Sequence, residues 1–270
     1  DITGHGQEIR YAKDQVEFLE QVGAVPAGTL PVAAHANGLA QAVALLQISY
    51  RFLPGSDISE LAIAVNRGDG QQAYEIISDP TRKALLWIEG GVDGLHSHAL
   101  QWAVKHYQPY LQSADICDAL KAFDDARILT ALRQGPFGAE DINRLIETKL
   151  RTQGLIGEGD EYHGKPVMVT ANDYEIGLFN GDIGLLWRDA DGILQACFPA
   201  AEGEEPRVIS PRRLPEHSLA YALTVHKSQG SEFTDVLMVL PSQTNPVVTR
   251  ELIYTGITRA KSIVAIQGAV

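Results

Sequence analysis

The chain has 270 residues, and 45% of them are hydrophobic, so it can form a packed core as one large domain or two modules. Its 34 acidic and 22 basic residues give a formal net charge of -12. That charge argues against coating of DNA by the whole surface, although a local basic track stays possible.

Targeting and redox features point to the cytoplasm. No apolar run is long enough to span a bilayer, and the first residues show no secretory or transit pattern. The chain opens on Asp1 rather than Met, from which we expect a piece of a longer protein. Cys117 and Cys197 lie far apart and form neither a disulfide framework nor a metal knuckle, which favours a reducing, cytoplasmic location.

The first half of the chain is predicted to be mainly helical. Helices are expected at Gln15–Val22 and Gly38–Leu46, and a third is capped by Asp57 and ends at Gly68. From about Leu95 to Leu150 the pattern predicts several amphipathic helices. The core positions expected in that region are Trp102, Leu120, Phe123, Ile128, Leu132, Leu145 and Ile146.

The pattern changes near Gly154, where short strand-like runs begin. Turn signals such as Asn180-Gly181 and Asp191-Gly192 separate them. The runs are Val167–Thr170, Ile183–Arg188, Ile193–Phe198 and Arg207–Ile209. We therefore predict a small β-rich insertion, in the form of a barrel, over residues 161–213.

An α/β pattern returns after Pro215. Val236–Leu240 and Ser262–Gln267 are expected to be buried strands, with a helix at Glu251–Ala260 between them. Residues 1–160 and 214–270 would then form one α/β lobe that is interrupted by the insertion.

The segment Thr224-Val-His-Lys-Ser-Gln-Gly-Ser-Glu-Phe233 carries the strongest chemical signal. Thr224 and His226 offer side chains that can bond phosphate or stack on a base, and Gly230 lets the backbone approach a ligand closely. Glu232 is an acceptor suited to a ribose hydroxyl. On residue types alone, a polar turn between two strands explains the segment equally well.

Two arginines are candidates for contact with a phosphoryl group. Arg259 ends the stretch Tyr254-Thr-Gly-Ile-Thr-Arg259, and Arg51 follows Ser49-Tyr50. An arginine can stabilise the charge on a transferring phosphoryl group. A solvated helix face for Arg259 and an ordinary charge at a strand end for Arg51 are the alternatives.

The run Gly177-Leu-Phe-Asn-Gly-Asp-Ile-Gly184 predicts a tight β-turn with close backbone approach. It is either a plain hairpin or part of a barrel that faces nucleic acid, in which case Thr170 and Asn172 could touch a strand backbone. The sequence contains no Gly-x-x-x-x-Gly-Lys-[Ser/Thr] phosphate loop and no convincing set of metal ligands.

Four stretches together resemble the RecD group of superfamily 1 helicases. They are Leu46–Phe52 with Ile63–Asp69, Ala131–Gly138, Gly177–Gly184, and Leu214 through Arg259. The resemblance implies a RecA-like, P-loop-NTPase-type lobe, here the second of two, with an SH3-like barrel inserted. ATP with Mg²⁺ would be bound mainly by the first lobe, which is not in this sequence.

The resemblance also assigns roles to residues. Arg51 and Arg259 would reach the γ-phosphate of ATP, and Gly230 and Glu232 would lie on the nucleotide side. Residues of the fifth motif would link single-stranded DNA to the ATP cleft: Thr224, His226 and Gln229. The RecD group moves 5′ to 3′ on DNA and works with RecB and RecC subunits in the exodeoxyribonuclease V complex.

Two other interpretations stay open at this point. The chain could be a non-catalytic scaffold that docks on partner subunits, which would suit its acidic charge and its long helical region. It could also belong to a free-standing helicase of the RecD type.

Overall fold

The computed structural model describes residues 10–33, 55–89, 92–201 and 204–268, in two compact units, Asp1–Tyr50 and Arg51–Val270. In the first unit, β1 (Tyr11–Ala12) pairs in parallel with β2 (Val32–Ala33), and α1 spans Lys13–Gln21. The helix predicted at Gln15–Val22 is therefore present. The predicted helix at Gly38–Leu46 and the stretch with Arg51 lie outside the described residues.

The second unit contains the remaining elements. In chain order they are α2 (Asp57–Arg67), α3 (Gly70–Ser78), β3 (Leu85–Glu89), α4 (Val92–Leu111), α5 (Ile116–Asp124), β4 (Ala126–Thr130), α6 (Ala139–Thr152), β5 (Lys165–Val169), β6 (Ile183–Arg188), β7 (Leu194–Phe198), β8 (Arg207–Ile209), β9 (His217–Leu219), β10 (Ala222–Thr224), β11 (Phe233–Val239), α7 (Arg250–Ile257) and β12 (Ala260–Gly268). In the described part of the chain, no helix is long and apolar enough to cross a membrane.

A parallel sheet of five strands, in the order β10-β4-β11-β12-β3, forms the centre of this unit. One apolar cluster packs α4, α5 and α6 against the sheet, and a second packs α2, α3 and α7 against it. Parallel strands need cover on both faces because their side chains are apolar on both sides. The predicted α/β class, with a parallel sheet flanked by helices, is confirmed.

The helical prediction for Leu95–Leu150 was wrong in its middle. Ala126–Thr130 is the strand β4, and every residue in it is buried. Ile128 is a core residue as predicted, but it lies in a strand that pairs with β10 and β11. A five-residue run that is buried on both faces has no alternating pattern, so the sequence does not distinguish it from a turn of buried helix.

The predicted insertion forms most of a second sheet, which has five antiparallel strands in the order β8-β7-β6-β5-β9. The predicted strands at Ile183–Arg188 and Arg207–Ile209 match β6 and β8 residue for residue, and Asp191-Gly192 lies in the turn between β6 and β7. The sheet also includes β9, which pairs with β5 and lies beyond residue 213. Its SH3-like character and the division at 161–213 stay predictions.

Buried tyrosines join the two sheets where the chain passes between them. The Tyr110 hydroxyl donates to the carbonyl of Gly164 at 2.8 Å, and the Tyr107 hydroxyl donates to that of Tyr221. The hydroxyls of Tyr162 and Tyr221 lie 3.2 Å apart. The second sheet is thus tied to α4 at both of its connections to the lobe.

Candidate functional site

The loop from Val225 to Glu232 runs from the carboxyl ends of the parallel strands, called here the carboxyl edge of the sheet, to their amino ends, the amino edge. Thr224 ends β10 and pairs with Thr130, which in turn pairs with Val239 at the end of β11. Phe233 begins β11, so the two ends of the loop lie about 20 Å apart along the strands. The predicted fifth motif therefore connects two distinct edges.

At the carboxyl edge the loop begins as a short 3-10 helix, Val225–Ser228. The Thr224 hydroxyl caps it by accepting from the Lys227 backbone N–H at 3.3 Å. Val225 is buried, whereas His226 and Lys227 are exposed. The cap thus fixes a turn that directs the two polar side chains outward.

A groove with a volume of about 860 Å³ lies between this edge and the antiparallel sheet. Three of the residues that were predicted to bind DNA line this groove: Thr170, Thr224 and His226. Further residues that line it and that carry charge or a titratable ring are Arg133, Glu140, Arg144, Glu216, His217 and Lys227. The structure thus brings residues from both sheets to one surface.

The other two residues that were predicted to contact DNA, Asn172 and Gln229, lie outside this groove. Asn172 is exposed, and its amide accepts from the Asn180 N–H at 2.8 Å and donates to the Tyr174 hydroxyl at 3.3 Å, within its own loop. Gln229 and His226 line a smaller cavity of about 310 Å³ beside α7. His226 therefore faces both cavities.

At the amino edge lie the described residues that were predicted to contact the nucleotide: Gly230, Glu232 and Arg259. Arg259 is only 8% exposed, and its guanidinium donates to the carbonyl of Ser231 at 3.1 Å and to that of Thr255 at 3.2 Å. The adjacent Glu232 carboxylate lies 3.7 Å from the Lys261 ammonium. The loop that begins at the groove is therefore held near its other end by the hydrogen bond from Arg259 to Ser231.

Gly230 gives this edge an open approach. Its φ is 91°, in the region that favours glycine, and a Cβ there would meet no heavy atom within 4 Å. The exposed backbone beside Ser231 therefore has room for a ligand, so the residues present fit the approach of a nucleotide. The position of Arg51 relative to this edge lies outside the described residues.

Sequence reasoning missed two cations in the groove, Arg133 and Lys227. Burial lowers the pKa of Lys227, the charge of Arg133 lowers it further, and Glu140 acts in the opposite direction. Lys227 stands inside the fifth motif and Arg133 inside the stretch Ala131–Gly138, so the motifs contained them. Their proximity depends on the pairing of β10 with β4.

Comparison with known proteins agrees with this architecture. Residues 219–266 match the UvrD-like helicase C-terminal domain. A RecBCD enzyme subunit RecD from Mycolicibacterium smegmatis is 34% identical over 255 residues, which are 93% of this chain and 44% of that protein. The subunit RecD from Haemophilus influenzae is 33% identical over 247 residues, 83% of this chain and 37% of that protein.

Two further similarities were found. An ATP-dependent RecD2 DNA helicase from Deinococcus radiodurans is 35% identical over 138 residues, 50% of this chain and 19% of that protein. A solved Pif1 helicase from Bacteroides with ADP-AlF3 and ssDNA aligns over 81% of this chain and 50% of that chain, with 16% identity and a TM-score of 0.38.

The covered parallel sheet and the match over residues 219–266 define the class, an α/β lobe that contains a UvrD-like helicase C-terminal domain. Within that class, the chain belongs to the RecD family. It spans 37% and 44% of the lengths of these two RecD subunits.

Proposed function

We propose that the chain is the C-terminal motor lobe of an ATP-dependent 5′–3′ DNA helicase subunit. The subunit would act with RecB and RecC in the exodeoxyribonuclease V complex, in double-strand break repair and recombination in the cytoplasm. One observation carries this proposal: the loop Val225–Glu232 joins the groove to the edge where Arg259 bonds Ser231. A change of position at one end can therefore reach the other.

At the amino edge the proposed ligand is ATP with Mg²⁺, held mainly by a companion lobe with a phosphate loop. Bound ATP would supply the γ-phosphate, which carries negative charge while it is transferred to water. Arg259 and Arg51 would neutralise that charge, while Gly230 admits the nucleotide and Glu232 accepts from its ribose. The bonds of Arg259 to two carbonyls hold its guanidinium in one orientation before ATP arrives.

At the groove the proposed ligand is single-stranded DNA. Thr170, Thr224 and His226 line the groove, with Gln229 beyond the 3-10 helix and Asn172 exposed in the loop after β5. Hydroxyl, imidazole and amide groups can all donate hydrogen bonds to phosphate and sugar oxygens, and we expect them to do so here. Binding should therefore tolerate any sequence and weaken with salt.

The test is Arg259→Ala in the full-length protein. We expect DNA-stimulated ATP turnover to fall roughly 1,000-fold, as for other arginines that stabilise a transferring phosphoryl group. Affinity for single-stranded DNA should change little, because Arg259 is at the opposite edge from the groove. Near-normal ATPase activity would contradict the role of this arginine.

Arg259→Lys is the matched control for folding. It keeps a positive charge but cannot reproduce two N–H bonds of a planar guanidinium. A thermal unfolding curve for each variant separates lost chemistry from lost structure, since Arg259→Ala removes the bonds to the carbonyls of Ser231 and Thr255, of which the latter keeps the Thr258 hydroxyl as a donor. DNA-stimulated turnover that stays absent in the wild-type protein, even with its partner subunits, would favour the docking scaffold instead.

A further inference from the structure

The stretch Ala131–Gly138 has no role in the proposal so far, yet its backbone is tightly fixed. The Gly138 N–H donates to the Gly135 carbonyl at 2.7 Å, and Gly135 has a φ of 90°. A Cβ on Gly138 would lie 2.5 Å from the backbone carbon of Gln134. Such a contact is prohibitive, so position 138 requires glycine. The Glu140 N–H donates to the Arg133 carbonyl at 3.0 Å, which holds the backbone from which the Arg133 side chain extends.

Arg133 and Lys227 line the same groove as Thr170 and Thr224. The Arg133 side chain is 76% exposed and lies 2.6 Å from the Glu140 carboxylate. Lys227 forms no ion pair with any residue in the described ranges. Two cations thus stand close enough to influence each other, while a single carboxylate, that of Glu140, acts on both.

The other arginine that lines the groove has a carboxylate partner of its own. Arg144 is paired with Asp141, and the His217 ring lies 2.8 Å from the Pro215 carbonyl. Glu216 also lines the groove and would repel an anion. The excess of positive charge is therefore local to Arg133 and Lys227.

We propose that Arg133 and Lys227 form a phosphate-binding pair that holds the backbone of single-stranded DNA in this groove. The inference rests on the proposed function and adds a site to it. A phosphate between the two cations would relieve their mutual repulsion and compete with Glu140 for Arg133. The fixed loop Ala131–Gly138 would set the distance of this grip from the 3-10 helix.

The experiment uses Lys227→Gln and Arg133→Gln in the full-length protein. Binding of a fluorescently labelled oligothymidylate is measured by anisotropy over a series of salt concentrations. We expect each variant to bind roughly ten-fold more weakly, as for the loss of one charge-assisted bond. The slope of log affinity against log salt should become shallower by about 0.7 for each lost phosphate contact.

Glu140→Gln gives a result of opposite sign. It frees Arg133 from its carboxylate partner, so binding should become tighter and its salt slope steeper. A merely structural role for these residues would not produce opposite effects on one slope. Lys83→Gln is the matched control, because Lys83 is exposed beside β3, at the far side of the sheet from β10.

The outcomes separate this inference from the proposed function. Unchanged slopes in Lys227→Gln and Arg133→Gln, with normal DNA-stimulated ATPase activity, would overturn the phosphate pair and leave the motor proposal standing. Equal losses in Lys83→Gln would also overturn it, since any lysine would then serve. A wild-type protein that neither binds the oligonucleotide nor responds to it would overturn both.

Discussion

Burial, rather than a neighbouring charge, sets the behaviour of His106. Its ring stacks on Trp102 with centroids 4.1 Å apart, and its Nδ1 lies 3.8 Å from the Asp235 carboxylate. Burial, together with a smaller effect of the Lys105 charge, lowers the pKa of His106 to about 4. Burial also raises the pKa of Asp235. Loss of solvent therefore outweighs the attraction between ring and carboxylate.

This imbalance predicts a pH dependence of stability. The folded pKa of His106 lies below its ordinary value of about 6.5, so only the unfolded chain gains a proton as pH falls from there toward 4. The free energy of unfolding should decrease over that window, by on the order of 1 kcal/mol for this group after allowance for solvent screening. At pH values above the ordinary pKa, His106 is neutral in both states and this loss of stability is absent.

His106→Gln isolates the effect, because glutamine does not titrate. Urea unfolding of wild type and variant at about pH 7.5 and about pH 5 gives the difference, which cancels the carboxylates common to both. The variant should lose less stability than the wild type between the two conditions. An identical loss in both proteins would show that His106 takes up its proton freely in the fold.

At the scale of elements, a glycine in β6 allows that strand to pack closely against β7 in the antiparallel sheet. A Cβ on Gly184 would lie 2.5 Å from the carbonyl oxygen of Cys197 and 2.8 Å from the ring of Phe198. Gly184→Ala should therefore lower the free energy of unfolding by about 1–3 kcal/mol, as overpacking of a core does. Urea unfolding measures the change.

Gly70→Ala is the matched control for this prediction. Gly70 begins α3 after its cap Asp69, and a Cβ there would meet no heavy atom within 4 Å. Alanine should leave stability unchanged or raise it slightly, since it restricts the unfolded chain. Equal effects of the two substitutions would mean that the contact with Cys197 relaxes without cost.

The same elements show how far the sequence can predict this fold. Strands β6 and β8 were predicted to the residue because turn signals mark the antiparallel sheet. Strands β3 and β4 were not, because their pairing partners in the parallel sheet lie more than ninety residues away along the chain. Local pattern carries no record of such distant pairing.

The candidate site divides in a similar way. Motif residues such as Thr224, His226 and Arg259 could be chosen from the sequence, because each lies in a recognisable stretch. Arg133 and Lys227 could not be chosen, because only the pairing of β4 with β10 brings them together. What the sequence could not give was the juxtaposition of remote segments rather than the identity of the chemical groups.

At the scale of the whole molecule, the groove works only if the two sheets keep their relative positions. One wall carries Thr224 and Lys227, and the other carries Thr170 and His217. The buried tyrosines at both connections are what ties these walls together. Rigid attachment of the second sheet is therefore part of the proposed grip on DNA.

Tyr110→Phe tests this attachment by removing one buried hydroxyl. The carbonyl of Gly164 would lose its donor, which should cost about 1–3 kcal/mol of unfolding free energy. Hydrogen exchange should rise around Gly164 and along β5, and affinity for oligothymidylate should fall as the walls separate. Tyr74→Phe makes the same chemical change on an exposed helix position and should alter none of these. If both variants exchanged and bound alike, the tyrosines would have no part in holding the groove together.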